Sequence, residues 1–410
     1  MKLLILTQYF PPEVGAPQNR LYELALRLQK KGIDITVLTA MPNYPAMEIQ
    51  EAYRGKKYVY EEMEGLKVHR SRIFVSKNKS IIKRLLNYFS FVWTSYWTGR
   101  KKLGNFDYIL CESPPLFLGM SARRLCRNKK AKLIFNVSDL WPESAEKLGL
   151  VTNRFLLGMA YRLEAKLYKS ATLITGQTQG IVKDILRRFP DRNVYWLPNG
   201  VDPAYYNPDT EVADWRAQNG FANDDFLLLY AGIIGHAQGL EIILHAAEKL
   251  RDKKQVKFIL LGEGPVKPEL LQLKEKGKLE NVFFFPAVGK KDMPAVVSAA
   301  DAAVIPLRRL DLFKGAIPSK IFENLAMQKP LLLGVEGEAK ELFIDEGKCG
   351  LAFEPENAGD LAAKTMTLFE NRDAAKAMGI NGRRYVIEKF SRDKIAEGFV
   401  EMLNSVAGNP

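Results

Sequence analysis

Cysteine is scarce in this 410-residue chain: it has three, Cys111, Cys126 and Cys349, none in a CxxC pair. That argues against a disulfide framework or a zinc site and for a reducing cytosol. Histidine is equally sparse, and His69, His236 and His245 are too few for a scheme with separate histidine acid and base. No Asp-x-Asp pair occurs, so one common means of holding Mg²⁺ on a diphosphate is missing. No apolar run reaches the roughly 18–20 residues of a membrane-spanning helix. The opening MKLLILTQYFPP has one lysine and a short apolar run ending at two prolines; it reads as a first strand rather than a signal peptide. Repeats and low-complexity segments are also lacking.

What is abundant is positive charge, and it is unevenly placed. Residues 1–205 hold 33 Lys+Arg against 17 Asp+Glu, a balance of +16, whereas residues 206–410 hold 27 and 30, a balance of −3. Confinement to one half points to an anionic partner rather than to general solubility.

Apolar runs alternate with helical patterns throughout. The first half has Leu3–Leu6, Ile35–Leu38, Tyr108–Cys111, Leu133–Val137, Leu173–Thr175 and Val194–Leu197. The second has Phe226–Tyr230, Phe258–Leu261, Val282–Phe285, Ala302–Ile305 and Leu331–Leu333. Such runs suit parallel strands buried on both faces. Their alternation predicts an α/β chain of two doubly wound, Rossmann-like domains, residues 1–200 and 201–385, with the seam at LPNGVDPAYYNPD. Residues 386–410 follow the last strand as a third segment, and the last amphipathic stretch runs Arg384–Val406. Ligands of open parallel sheets bind at the carboxyl ends of the strands, so two facing sheets would make a cleft.

The loops after strands are therefore where chemistry is sought. After the first, Gly15 allows close backbone approach, the next helix presents unpaired N–H groups, and Arg20 lies one turn in. The loop exceeds the usual two to six residues, which favours function over an ordinary turn. In NVSDLWPES, the Asp139 carboxylate can accept hydrogen bonds from sugar hydroxyls and Trp141 can stack on a sugar face; a helix cap and a core tryptophan account for the pair equally well. YAGIIGHAQGLEIILHAA runs strand, glycine turn, helix, with Gly232, Gly235 and Gly239 but no lysine or arginine in the turn. It does not fit GxGxxG, but backbone N–H groups at a helix start bind phosphate. LGEGP places Gly262 and Gly264 at another strand end. In FKGAIPSKIFENLAMQKPLLL, Pro318 and Ser319 open a helix and Lys320 and Glu323 share a face. Lys320 would supply the charge that the glycine loop lacks, with Lys314, Arg308 or Arg309 adding to it; an exposed Lys320–Glu323 ion pair is the plain alternative.

Taken together, the glycine loop after strand one, PNGVD, the Gly232–Gly239 loop, GEGP and PSKIFENLA before KPLLL resemble retaining glycosyltransferases of family 4, with the GT-B fold. DLWPES and PSK are most similar to enzymes of bacterial capsule, O-antigen and exopolysaccharide assembly, including N-acetylfucosamine transferases. The resemblance implies two Rossmann-like domains, with a C-terminal helix returning to the first. It implies a UDP-sugar donor, an N-acetylated hexosamine or deoxyhexosamine, held by Gly15, Gly232, Gly235, His236, Gln238, Gly239, Gly262, Gly264, Lys314, Ser319, Lys320 and Glu323. Glu323 would bind the ribose; Asp139 and Lys320 would serve catalysis, and Arg20 and Trp141 the acceptor. Many family members carry arginine and lysine where Ile233 and Gln238 stand, and a first glutamate where Gly315 stands. No metal or cofactor is expected. The acceptor would be a saccharide or linked to a polyprenyl diphosphate.

SKNKSIIKRLLNYFSFVWTSYWTGRKKLG joins an aromatic, apolar middle to flanks with Lys77, Lys79, Lys83, Arg84, Arg100, Lys101 and Lys102. Rings and cations suit a lipid headgroup layer. Peripheral attachment to the cytoplasmic face of an anionic membrane is expected; helices packed on the first sheet are the alternative. A GT-B sugar-nucleotide epimerase is a rival activity. A nucleic-acid-binding protein would interleave aromatics with basic residues on a recognisable module, and none is found.

Overall fold

The computed structural model describes residues 1–408 apart from 14, 79, 148 and 150. Packing divides the chain into two units: residues 1–199 together with the stretch from Arg392 onward, and Gly200–Ser391.

In the first unit the strands are β1 (Lys2–Leu6), β2 (Asp34–Ala40), β3 (Tyr58–Met63), β4 (Leu66–Ser71), β5 (Tyr108–Ser113), β6 (Lys132–Val137), β7 (Leu173–Gly176) and β8 (Val194–Trp196). Among the described residues they form one sheet in the order β3-β4-β2-β1-β5-β6-β7-β8. Only β3 runs antiparallel, to β4. Alternate residues serve opposite faces: Leu4, Leu6 and Leu38 join one core, Leu3, Ile5, Ile35 and Val37 the other. This two-sided burial is why the strands read as unbroken apolar runs.

The second unit holds β9 (Phe226–Ala231), β10 (Val256–Leu261), β11 (Val282–Phe285), β12 (Ala302–Pro306), β13 (Leu331–Gly334) and β14 (Gly350–Ala352). Their order is β11-β10-β9-β12-β13-β14, and every neighbouring pair is parallel. Strand order reverses between β9 and β12, the point where such sheets open a crevice at their carboxyl edge.

Three strands go beyond the eleven expected. The β3–β4 hairpin turns at Glu64 and Gly65, both with positive φ (47° and 82°), and β14 is only three residues long.

The chain leaves the second unit at Ser391 and re-enters the first as the helix Arg392–Gly408. Ala396, Phe399, Leu403 and Val406, at helical spacing, join the core that holds Leu3 and Ile5. Arg27–Asp393 (3.0 Å) and Lys31–Glu397 (2.8 Å) edge the contact.

Candidate functional site

The glycine loop follows β9 beside the reversal of strand order. Gly232 is exposed with φ 144°, His236–Gln238 form a short turn, Gly239 takes the left-handed conformation (φ 58°), and the helix Glu241–Lys249 follows. The loop carbonyls are tied down. That of Ile233 accepts from the Tyr230 hydroxyl (2.6 Å), that of Ile234 from the Val266 N–H (3.3 Å), and that of Ala237 from the Arg308 N–H (3.0 Å). The N–H groups of Gly235, His236 and Ala237 make no hydrogen bond within the described structure. Three donors at a strand end, with their carbonyls fixed elsewhere, form a seat for an anion.

Gly262 and Gly264 hold this loop from behind. The Gly232 N–H donates to the Leu261 carbonyl and the Ile234 N–H to that of Glu263, each at 2.9 Å. A Cβ on Gly262 would lie 1.9 Å from the Gly232 oxygen, and one on Gly264 2.1 Å from the Ile234 oxygen. These two glycines let two backbones touch, so packing alone accounts for their lack of a side chain.

Lys320 opens the helix Lys320–Ala326. Its ammonium lies 3.8 Å from the centroid of the buried Tyr230 ring, and a Cβ on Gly232 would meet Nζ at 2.9 Å. The cation therefore sits directly beneath the start of the glycine loop. Burial disfavours the charged form and pushes its pKa down to about 7, partly offset by Glu323.

The other cations proposed to help are occupied. Lys314 pairs with Asp311 at 2.8 Å. Arg308 bridges Glu241 (2.7 Å) and Glu356 (3.0 Å), and Arg309 bridges Glu354 (2.7 Å) and Glu336 (3.3 Å). Each therefore already has a carboxylate partner: Asp311 lies in the same turn as Lys314, and those of the two arginines lie on other elements of the same edge. Ser319 holds the position before the Lys320 helix but makes no side-chain cap bond. Glu323 is partly buried on the first turn, His236 is exposed, and the Gln238 side chain folds over Gly235.

In the first unit, Gly15 is extended and precedes the helix Ala16–Lys30. Arg20 does not face outward. It is buried and donates from Nη2 to Glu112 Oε1 and to Ser138 Oγ, each at 2.6 Å. Asn136 and Ser138 also donate to Glu112, and Thr175 donates to Asn136 (2.6 Å). Glu112, at the end of β5, is thus the hub joining three strand ends to the first helix. Its only sequence signal was a carboxylate at the end of an apolar run. Asp139 is exposed and accepts from Ser144 Oγ at 2.5 Å. It accepts no backbone N–H of the following helix Glu143–Lys147 among the described residues, so the cap alternative does not describe it. Trp141 is half-buried, its ring edge-on to Phe117 at 5.3 Å.

The aromatic stretch is one helix, Ile81–Lys102. Asn87, Phe91 and Ser95 are buried on one face, Ser95 Oγ meeting Ser121 Oγ at 2.8 Å. Ile82, Leu86, Phe89 and Trp93 form an exposed stripe on another, 71, 47, 42 and 66% exposed. Lys83 lies over Phe74, and Arg100 and Lys101 over Trp97; Lys79 lies outside the described residues. Phe155, Leu156 and Met159 are likewise exposed at the start of the helix Arg154–Ser170. Among the described residues no helix is long and apolar enough to cross a membrane.

Two family models match: "Glycosyltransferase Family 4" over residues 18–205 and "Glycosyl transferases group 1" over residues 211–385. WcaI of Escherichia coli K12, named as a glycosyl transferase of colanic acid biosynthesis, is 26% identical over 373 residues, 88% of this chain and 91% of its own. The O-antigen chain mannosyltransferase C of Escherichia coli is 21% identical across 97% of this chain and 96% of its own. Among solved structures, sucrose-phosphate synthase of Thermosynechococcus elongatus superposes with TM-score 0.78 at 16% identity, covering both chains fully. Anabaena HepE, in complex with UDP and glucose, gives 0.73 at 18% identity, covering 99% of this chain and all of its own.

Proposed function

This chain belongs to glycosyltransferase family 4, with the GT-B fold, and is a hexosyltransferase; we propose that it moves a sugar from a UDP-sugar to a lipid-linked or saccharide acceptor during assembly of a bacterial surface polysaccharide. The observation that carries the donor reading is the seat of three N–H groups in a loop whose first glycine, Gly232, lies against the Lys320 ammonium. Solved neighbours of this fold are complexes with UDP and with UDP-glucose, and relatives along most of the chain are named for colanic acid and O-antigen. The transferred sugar is an N-acetylated hexosamine or deoxyhexosamine.

Transfer breaks the bond between the sugar C1 and the diphosphate and forms one to an acceptor oxygen. Negative charge develops on the departing diphosphate, and fixed donors stabilise it without reorganising. The N–H groups of Gly235, His236 and Ala237 with Lys320 serve that purpose, so the reading needs no metal ion. The acceptor proton passes to the leaving phosphate and configuration is retained, as the family resemblance implies. Asp139 contributes an exposed carboxylate that orients hydroxyls.

The acceptor side is membrane-bound in this reading: the protein attaches peripherally to the cytoplasmic face. The exposed stripe Ile82, Leu86, Phe89 and Trp93 supports it. So does charge: residues 65–106 contain no aspartate or glutamate. Apolar rings with bordering cations suit an anionic interface.

Titration calorimetry with UDP and GDP tests the donor. UDP binding is expected, with a 100-fold excess over Kd adding about 2.7 kcal/mol of thermal stability. GDP binding in its place moves the donor to the class named for some mannosyltransferase relatives; binding of neither nucleotide overturns the site.

A further inference from the structure

Arg308 follows β12, the strand across the reversal from β9. Its backbone N–H donates to the Ala237 carbonyl (3.0 Å) and its Nε to the His236 carbonyl (2.8 Å). Nη2 binds Glu241 Oε1 (2.7 Å) at the start of the helix after the loop, and Nη1 binds Glu356 Oε1 (3.0 Å) beyond β14. Its stem lies along Gly239, where an added Cβ would stand 3.3 Å from Arg308 Cγ. One residue therefore touches the loop at three successive points and is itself anchored by two carboxylates.

In a trans peptide the C=O and the following N–H point in opposite directions. Holding the His236 and Ala237 carbonyls toward Arg308 aims the N–H groups of Ala237 and Gln238 away from it. The Gln238 N–H turns back to the Gly235 carbonyl at 3.4 Å, and that of Ala237 stays open. A loop with three glycines has no conformational preference that would fix this arrangement on its own.

We infer that Arg308 is a positioning residue: held by Glu241 and Glu356, it staples the glycine loop so that its backbone donors face the donor diphosphate, which it does not itself touch. The inference rests on the donor site proposed above. It fits the guanidinium, whose planar fork serves several acceptors at once, where a lysine ammonium is a point charge on a flexible stem.

The test uses opposite signs. By field alone, Glu356→Gln removes a negative charge near an anion site and would tighten nucleotide binding. The staple requires it to weaken. Dissociation constants of UDP and GDP are measured for the full-length wild type, Arg308→Lys, Arg308→Ala, Glu356→Gln and the Arg308→Ala/Glu356→Gln double variant. The expectation is a 3- to 10-fold loss in Glu356→Gln and Arg308→Lys, at least 10-fold in Arg308→Ala, and no further loss in the double variant, because both changes act through one staple. In turnover the donor KM rises while kcat at saturation changes little. Unchanged or tighter binding by Glu356→Gln, or wild-type binding by Arg308→Lys, overturns the staple. If the wild type binds neither nucleotide, the donor reading fails by itself. The staple is then decided by the crystal structure of Arg308→Ala: a displaced 235–239 loop sustains it and an unmoved loop overturns it.

Discussion

Replacing Lys320 by methionine isolates the cation beneath the glycine loop, since methionine fills similar space over the Tyr230 ring. If the ammonium donates to the diphosphate, its loss removes a charge-assisted hydrogen bond, worth about 1.5–3 kcal/mol, or roughly 10- to 150-fold in Kd. The buried ammonium adds a second signature. With its pKa lowered to about 7, Lys320 is half neutral in the free protein near neutrality. A bound diphosphate favours the charged form and raises that pKa. The complex then holds more protons than the free partners, so binding takes up protons above pH 7. Affinity should fall by up to tenfold, about 1.4 kcal/mol, per pH unit from just above pH 7 upward, and lose this dependence below it, where Lys320 is already charged. Calorimetry in buffers of different ionisation enthalpy measures the uptake directly. The free protein carries the complementary sign. Between about pH 7 and the ordinary lysine value of 10.5, the unfolded chain holds a proton that the folded chain lacks, so stability rises with pH. The full shift corresponds to roughly 4–5 kcal/mol as an upper bound. Lys320→Met should flatten that rise. Nucleotide affinity that is equal in wild type and Lys320→Met, with the same proton uptake, would refute the reasoning.

Asp139→Asn should leave nucleotide affinity within twofold of wild type while lowering kcat at least tenfold; unchanged kcat would make Asp139 a mere partner of Ser144. Gly264→Ala drives a methyl into the Ile234 carbonyl and should cost about 1–3 kcal/mol of stability, with nucleotide binding weakened as the loop shifts; thermal melts and calorimetry on the same sample decide it. Flotation should show wild-type protein on anionic vesicles at low salt and its release at high salt. Trp93→Glu and the joint reversal of Lys83, Arg84, Lys101 and Lys102 to glutamate should each reduce it, and flotation that is insensitive to both would exclude this face.

The amino-acid sequence by itself carried the two doubly wound units, because strands such as Leu3–Leu6 and Phe258–Leu261 are buried on both faces and leave unbroken apolar runs. It lost β3, the edge strand, and β4 beside it, which mix polar with apolar residues, although the two-residue Glu64–Gly65 turn between them was a usable hairpin signal. It also lost β14, too short to leave any pattern. At the site, the sequence marked the loops that follow the strands, and spacing left Lys320 open between a donor contact and an exposed partner of Glu323. It did not distinguish an unpaired cation from a paired one: Arg308, Arg309 and Lys314 all read as charge for the ligand, yet each has a carboxylate partner. For the two arginines those partners lie up to 67 residues away, as with Arg308 and Glu241. Nor did it show that Gly262 and Gly264 are small for the sake of the neighbouring loop, or that Arg20 is buried against Glu112. Local pattern records which residues are buried along one element, whereas the partner of a charge is set by which strand ends the sheet order brings together. Only the tertiary structure placed Tyr230, 90 residues before Lys320 in the chain, under its ammonium, and only the burial that comes with such packing lowers the lysine's pKa.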